Sequence, residues 1–317
     1  MNTAPNSMPK GNIARNCVIL GATGRVGRLV GRAFDHHGSF DLAIWRQSRR
    51  STARRGERWA DWDGTAEPAA LARVTRQIGA IDSLIVLNGV TEIADDNQKV
   101  NSDLALAALD AAKALGARQV FLPSSAAVYG RPANDAPIAE TADCRPVSPY
   151  GRSKLAMETA AQEWSARQTG TTPHVTLLRL GNVAGADQLT RNAVRATRTA
   201  PLILDEFADG TSPLRSYIGP ETLAGVLVSL IGAAAQAAEV PRILNVAAAV
   251  PVHMADLLEA MKSTGDLASW QTRRAGDQVL RSVVLDLSRL RKLHRFAATD
   301  SNPDEMIRQW RRCRGAS

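Results

Sequence analysis

Residues 17–34 read CVILGATGRVGRLVGRAF. The first four form a short apolar run of the kind a buried strand requires. Gly21, Gly24 and Gly27 then recur at a spacing of three, and an amphipathic stretch, RLVGRAF, follows. Strand, glycine turn and helix in that order make a phosphate cradle. The glycines let backbone approach a pyrophosphate, and the first helical turn offers unpaired N–H groups at the positive end of its dipole. Gly21, Thr23, Gly24, Arg25, Val26 and Gly27 are therefore the candidate cofactor-binding residues of this turn.

The next apolar run, residues 42–45, predicts a second strand ending beside the adenosine ribose of such a cofactor. Proteins that prefer NAD carry an acid there, which accepts from the ribose 2′-hydroxyl. This chain has Arg46, Gln47, Ser48, Arg49 and Arg50, with no acid until Glu57. A carboxylate repels a 2′-phosphate and guanidinium groups bind it. The expected cofactor is therefore NADP, with NAD possible, and Arg46 is the leading contact with Arg25 or Arg49 as helpers.

Further out, residues 67–78 read as a helix with Pro68 in its first turn, 83–87 as a buried parallel strand, and 97–115 as a long helix. Residues 119–122 and 175–180 read as two more strands. Strand and helix alternate from residue 17 to 180, which predicts an α/β fold with a Rossmann-type doubly wound parallel sheet. From about residue 182 the pattern changes. Residues 243–246 read as a late strand, 253–261 as a helix and 283–285 as a closing strand. The expected division is a disordered tail over 1–15 and a dinucleotide-binding domain over 16–182, to which 220–250 returns. Residues 183–219 and 251–317 make a smaller substrate-binding α/β subdomain.

The chemistry concentrates in residues 124–154, SSAAVYGRPANDAPIAETADCRPVSPYGRSK. Ser148 is a plausible N-cap, Pro149 suits the first helical position, and good helix formers follow. Tyr150 and Lys154, four apart, then share one helix face about 6 Å apart along the axis. A phenol, with a pKa of about 10, needs its phenolate stabilised to move protons at neutral pH. A neighbouring ammonium is expected to do that. A serine hydroxyl beside the phenol would hydrogen-bond a carbonyl or alcohol oxygen.

This segment resembles the active-site region of the extended short-chain dehydrogenase/reductase family, also called the NAD-dependent epimerase/dehydratase family. The family's Ser-Ser-x-x-Val-Tyr-Gly, Pro-Ile-x-Glu and Pro-Tyr-Gly-x-Ser-Lys patterns appear at Ser124, Ser125, Val128, Tyr129, Gly130, Pro137, Ile138, Glu140, Pro149, Tyr150, Gly151, Ser153 and Lys154. The glycine spacing of 21–27 is also the family's. The resemblance implies Ser125, Tyr150 and Lys154 as catalytic residues, with Tyr150 and Lys154 also touching the nicotinamide ribose. Asn101 would orient Lys154 through water. It implies Asp61 and Trp62 near the adenine amino group. The run Gly181-Asn182-Val183-Ala184-Gly185 looks like the family's Arg-x-x-Asn-Val-Tyr-Gly turn with Ala184 in place of Tyr, which makes Asn182 a substrate contact. Asn88-Gly89-Val90 stands where relatives have Leu-Ala-Ala.

The implied activity is hydride transfer at a secondary alcohol or ketone, of a nucleotide-activated sugar or related carbonyl compound. A dinucleotide-sensing regulator on the same fold is the alternative, although such relatives typically lack the Tyr/Lys pair. Arg191, Arg195 and Arg198 recur at helical spacing, and Arg191 with Arg215 is expected to clamp an anionic substrate group.

Composition sets the bounds. The 317 residues can bury a large core. No uninterrupted apolar run reaches about 18 residues and the first residues hold no apolar signal core, so a cytoplasmic protein without membrane attachment is expected. Cys17, Cys144 and Cys313 are widely separated and the five His show no ligand spacing, so neither disulfides nor a metal is expected. The net charge of +8 raises nucleic acid as a partner. It sits largely in residues 46–58 and 308–314, where no recognition motif accompanies it, and the second cluster reads as a solvated terminal helix. The expected partner is a small-molecule substrate, with a homodimer possible.

Overall fold

The computed structural model describes residues 15–36, 42–49, 58–92, 99–236 and 238–315. The tail expected over 1–15, except Arg15, and the basic run 50–57 lie outside them. In chain order the first half comprises β1 (Arg15–Leu20), α1 (Arg25–His36), β2 (Leu42–Ser48), β3 (Trp59–Asp61), α2 (Pro68–Ile78), β4 (Ser83–Val86), α3 (Val100–Ala114), β5 (Gln119–Ser125), α4 (Pro149–Arg167) and β6 (His174–Leu180). There follow β7 (Asn182–Val183), α5 (Gln188–Arg195), β8 (Leu202–Glu206), β9 (Leu214–Arg215), β10 (Tyr217–Ile218) and α6 (Pro220–Ala235). The chain closes with β11 (Ile243–Val246), β12 (Val252–His253), α7 (Met254–Ser263), β13 (Trp270–Arg274), β14 (Ser282–Val283) and α8 (Pro303–Arg314).

Seven strands form one sheet in the order β11-β6-β5-β4-β1-β2-β3, every neighbouring pair parallel. The order reverses between β1 and β4, and the carboxyl ends of strands at such a switch point open a crevice for a ligand. The strands are buried on both faces, as parallel strands flanked by helices must be. Side chains alternate along β1: Cys17 and Ile19 enter the core under α1, α6 and α8, and Val18 and Leu20 the core under α2, α3 and α4.

Local chemistry sets the helix starts. The Ser148 hydroxyl accepts from the Gly151 N–H at 3.0 Å with Pro149 at the first helical position. The Glu67 carboxylate accepts from the Ala69 and Ala70 N–H groups ahead of α2. Each cap contributes about 1 kcal/mol and fixes where its helix begins.

Short strand pairs build the rest: β12-β9-β14, β10-β7 and β13-β8. Gly185 has φ +89°, and a Cβ there would lie 2.0 Å from the Trp310 ring, so α8 closes directly onto the turn after β7. The basic face of α8 is not simply solvated. Arg312 pairs with Glu221 and Glu305, and Arg311 and Arg314 with Asp266. Among the described residues no helix is long and apolar enough to cross a membrane.

Candidate active site

β5 delivers Ser124 and Ser125 to the switch point, and α4 enters beside them with Tyr150, Lys154 and Glu158 on one edge at i, i+4 and i+8. The Ser125 Oγ accepts from the Ala127 N–H at 3.2 Å and lines the same cleft as the Tyr150 phenol. Burial pushes the phenol above its ordinary pKa, while the nearby Ser125 hydroxyl and the Arg25 charge pull it back. The expected lowering by Lys154 is thus corrected. The Lys154 ammonium turns to the end of β5, donating to the Pro123 carbonyl at 2.9 Å with the Met157 sulfur at 3.7 Å.

Burial brings Lys154 down to about 8, against a smaller raising influence from Glu158. Below pH 8 folded and unfolded chains both carry this proton, and the folded chain bears the whole cost of the buried charge. Between about 8 and 10.5 the folded chain releases the proton and the unfolded chain keeps it, so this cost shrinks and stability rises with pH. Lys154→Met is accordingly expected to stabilise the protein at pH 7. The shift corresponds to roughly 3 kcal/mol, less about 1 for the lost bond to Pro123. Urea unfolding at pH 7 and pH 10 checks this: the advantage should narrow at the higher pH, and a variant weaker than wild type at both would contradict it.

A cleft of about 420 Å³ holds Gly24, Arg25 and Val26 on one wall, Ser125, Tyr150 and Lys154 on its floor, and Asn182 and Arg191 opposite. A Cβ on Gly21 (φ +73°) would lie 2.3 Å from the Asn88 nitrogen, and one on Gly27 would lie 2.2 Å from the Gly21 oxygen. Turn, helix start and β4 end therefore meet backbone to backbone, as a phosphate cradle requires. Two buried polar atoms of cleft-lining residues, Ser124 Oγ and Asn88 Oδ1, have no hydrogen-bond partner among the described residues.

The remaining candidates divide. Asn101 is buried, accepts from the Val90 N–H at 2.9 Å, and donates to the Val90 carbonyl at 3.1 Å and the Ser153 hydroxyl at 3.0 Å. It braces the loop after β4 against α4. Gly89 lies between its Oδ1 and the Lys154 Nζ. Arg191 pairs with Glu92 at 2.8 Å across the mouth of the cleft. Thr23 is exposed on the turn, and Asp61 is exposed at the end of β3.

Three candidates need correction. Arg46 folds back under α1, pairing with Asp35 at 2.6 Å and donating to the Gly31 carbonyl, so its guanidinium is already engaged. Trp62 is 1% exposed, a core side chain whose indole N–H donates to the Thr65 carbonyl, and only its backbone could face an adenine. Arg215 lies outside the cleft-lining set and donates to the Leu214, Leu280 and Arg281 carbonyls.

The group that stands at the β2 end is Gln47. Its amide oxygen accepts from the Gly21 N–H at 3.2 Å and its amide N–H donates to the Trp62 carbonyl. The other missed feature is Arg179 on β6, paired with Glu158 at 2.7 Å with both side chains almost wholly buried. Arg179 also donates to the Glu140 carbonyl and lies over the Tyr129 ring, and the Tyr129 hydroxyl donates to Asn245 on β11. This network fastens the catalytic edge of α4 to the sheet.

A sequence profile of the NAD dependent epimerase/dehydratase family matches residues 17–225, well over half of the chain and the part that carries Ser125, Tyr150 and Lys154. The chain belongs to this family. Within the NAD dependent epimerase/dehydratase family, UDP-glucose 4-epimerase of Streptococcus mutans serotype c is 30% identical over 184 residues, 50% of this chain and 54% of that enzyme. The chain thus spans about half the length of this curated relative. Two solved structures share the fold. A UDP-glucose-4-epimerase from Stenotrophomonas maltophila, with bound NAD and formylated UDP-arabinopyranose, has TM-score 0.74 at 20% identity, over 95% of this chain and 98% of that one. The UDP-Glc/GlcNAc 4-epimerase of Campylobacter jejuni has TM-score 0.75 at 17% identity, over 95% and 99%.

Proposed function

We propose that this member of the NAD dependent epimerase/dehydratase family is an NADP-preferring oxidoreductase acting at a secondary carbinol, or its ketone, of a nucleotide-activated sugar. The observation that carries the reading is that Ser125, Tyr150 and the buried Lys154 line one cleft with Gly24 and Arg25 of the glycine turn. The dinucleotide, when bound, supplies or takes the hydride. Tyr150 gives its proton to the substrate oxygen, or takes it. Ser125 uses one lone pair to accept from the Ala127 N–H and offers its O–H to that oxygen. Lys154 offers donors at the cleft floor. Asn182 and Arg191 face the substrate side, and Arg191 supplies a charge suited to a diphosphate. Arg215 joins them only by leaving its carbonyl partners.

A freely exchanging NADPH makes net reduction the favoured outcome over epimerisation. The test follows absorbance at 340 nm with NADP⁺ or NADPH and a panel of UDP- and dTDP-sugars, starting with UDP-glucose. A sugar-dependent change is expected, and none across the panel would sink the reading.

NADP preference is supported by Gln47, a neutral amide where NAD-preferring proteins place an acid. Gln47→Glu should therefore lower the NADPH-to-NADH ratio of kcat/KM by about ten- to a hundredfold, the worth of one charge-assisted hydrogen bond made or broken. An unchanged ratio would separate cofactor choice from this position.

A further inference from the structure

A groove of about 620 Å³ runs from Thr23 and Gly24 along α1, between Trp59 of β3 and Trp310 and Arg314 of α8. Its floor is a stripe of Arg25, Arg28 and Arg32 at i, i+3 and i+7. Such a stripe is costly for a helix. Like charges four apart repel, cations at a helix N-terminus oppose its dipole, and the first turn of α1 contains no acid.

The other cations of the groove are neutralised, Arg46 by Asp35 and Arg314 by Asp266. The three of the stripe are not. Arg25 donates to the Thr91 hydroxyl and Arg32 to the Cys313 carbonyl at 3.1 Å, and Arg28 has no carboxylate partner among the described residues. Local rules broken in one place without an internal compensation mark a site that an external group completes. Here that group is an anion small enough to sit between Arg28 and Arg32.

We propose that this groove binds a phosphate monoester, and that the monoester is the 2′-phosphate of the dinucleotide, held by Arg28 with Arg32 behind it. This rests on the NADP reading above and reassigns the contact from Arg46, whose guanidinium Asp35 already holds. The pyrophosphate has the glycine turn for its own cradle, and the groove begins at that same turn, sharing Gly24 and Arg25 with the cleft and lined by Arg46 of β2. A guanidinium suits a dianionic monoester because it presents paired N–H donors to two phosphate oxygens.

Calorimetry on the full chain tests this with adenosine 2′,5′-bisphosphate, 5′-AMP and inorganic phosphate as probes. Wild type should bind the bisphosphate well above 5′-AMP. Arg28→Gln should weaken the bisphosphate about ten- to a hundredfold, with 5′-AMP scarcely affected and Arg28→Lys intermediate. Arg28 is exposed, and a thermal melt verifies that each variant folds. Equal weakening of both nucleotides, or none, would overturn the Arg28 assignment. Phosphate that binds undiminished to bisphosphate-saturated protein, and is lost in Arg28→Gln, would mean a separate phosphorylated ligand and would overturn the link to the cofactor. Wild type binding both nucleotides alike would refute the NADP reading itself. Wild type preferring the bisphosphate with Arg28→Gln unchanged would refute only the role of Arg28.

Discussion

Tyr150→Phe is expected to lower kcat by about 10³-fold, inside the 10²–10⁴ range of a positioned general acid/base, while dinucleotide affinity is largely retained. The substitution removes one oxygen and keeps the ring that α4 packs into the cleft. The Ser125 hydroxyl beside it is still held in place by the Ala127 N–H. Because Ser125 and Tyr150 serve one oxygen, Ser125→Ala combined with Tyr150→Phe should cost little more than Tyr150→Phe alone, since residues acting as a unit are not additive. The measurements are single-turnover rates with UDP-glucose, or whichever nucleotide sugar wild type converts, and a separate titration with NADPH. A phenylalanine variant within tenfold of wild type would remove Tyr150 from proton transfer.

The second large effect concerns stability. Glu158→Gln or Arg179→Met should each destabilise the fold by about 3–5 kcal/mol, because removing one partner leaves the other charge buried and alone. Glu158 is 1% and Arg179 4% exposed, and three nitrogen-to-oxygen bonds of 2.7–3.2 Å join them. The double replacement Glu158→Leu with Arg179→Met should recover much of that loss, since two apolar side chains of similar volume leave no orphan charge. Urea titration of the three variants measures this. Single variants within about 1 kcal/mol of wild type would mean that solvent reaches the pair. Activity should fall as well, because Glu158 lies one turn beyond Lys154 on the edge that carries Tyr150.

The parallel sheet is legible in the sequence because its signals are local. Apolar runs at 17–20, 83–86 and 175–180, each followed by a turn and a helical pattern, leave few other folds. Tyr150 and Lys154 are legible for the same reason, a spacing of four after a capping serine and a proline. The expectation for Arg46 fails because it ends β2 at residue 45. The strand runs on to Ser48, and its alternation carries Arg46 to the α1 face with Ile44 while Gln47 turns to the crevice. The period of two gives this once the strand is extended.

Other features have no local signal. Arg215 finds two of its three carbonyl partners 65 and 66 residues away, and the Glu158–Arg179 pair joins a helix and a strand whose charges look ordinary in sequence. The start of α6 at Pro220 is also hidden, since only the alanines near its end stand out.

Ser125, Tyr150 and Lys154 all stand on β5 and α4, whereas Asn182 and Arg191 of the same cleft stand on the two-residue β7 and on α5, outside the large sheet. Under the proposed function, substitutions on that second side are expected to alter which sugar is admitted while the proton donor keeps its place.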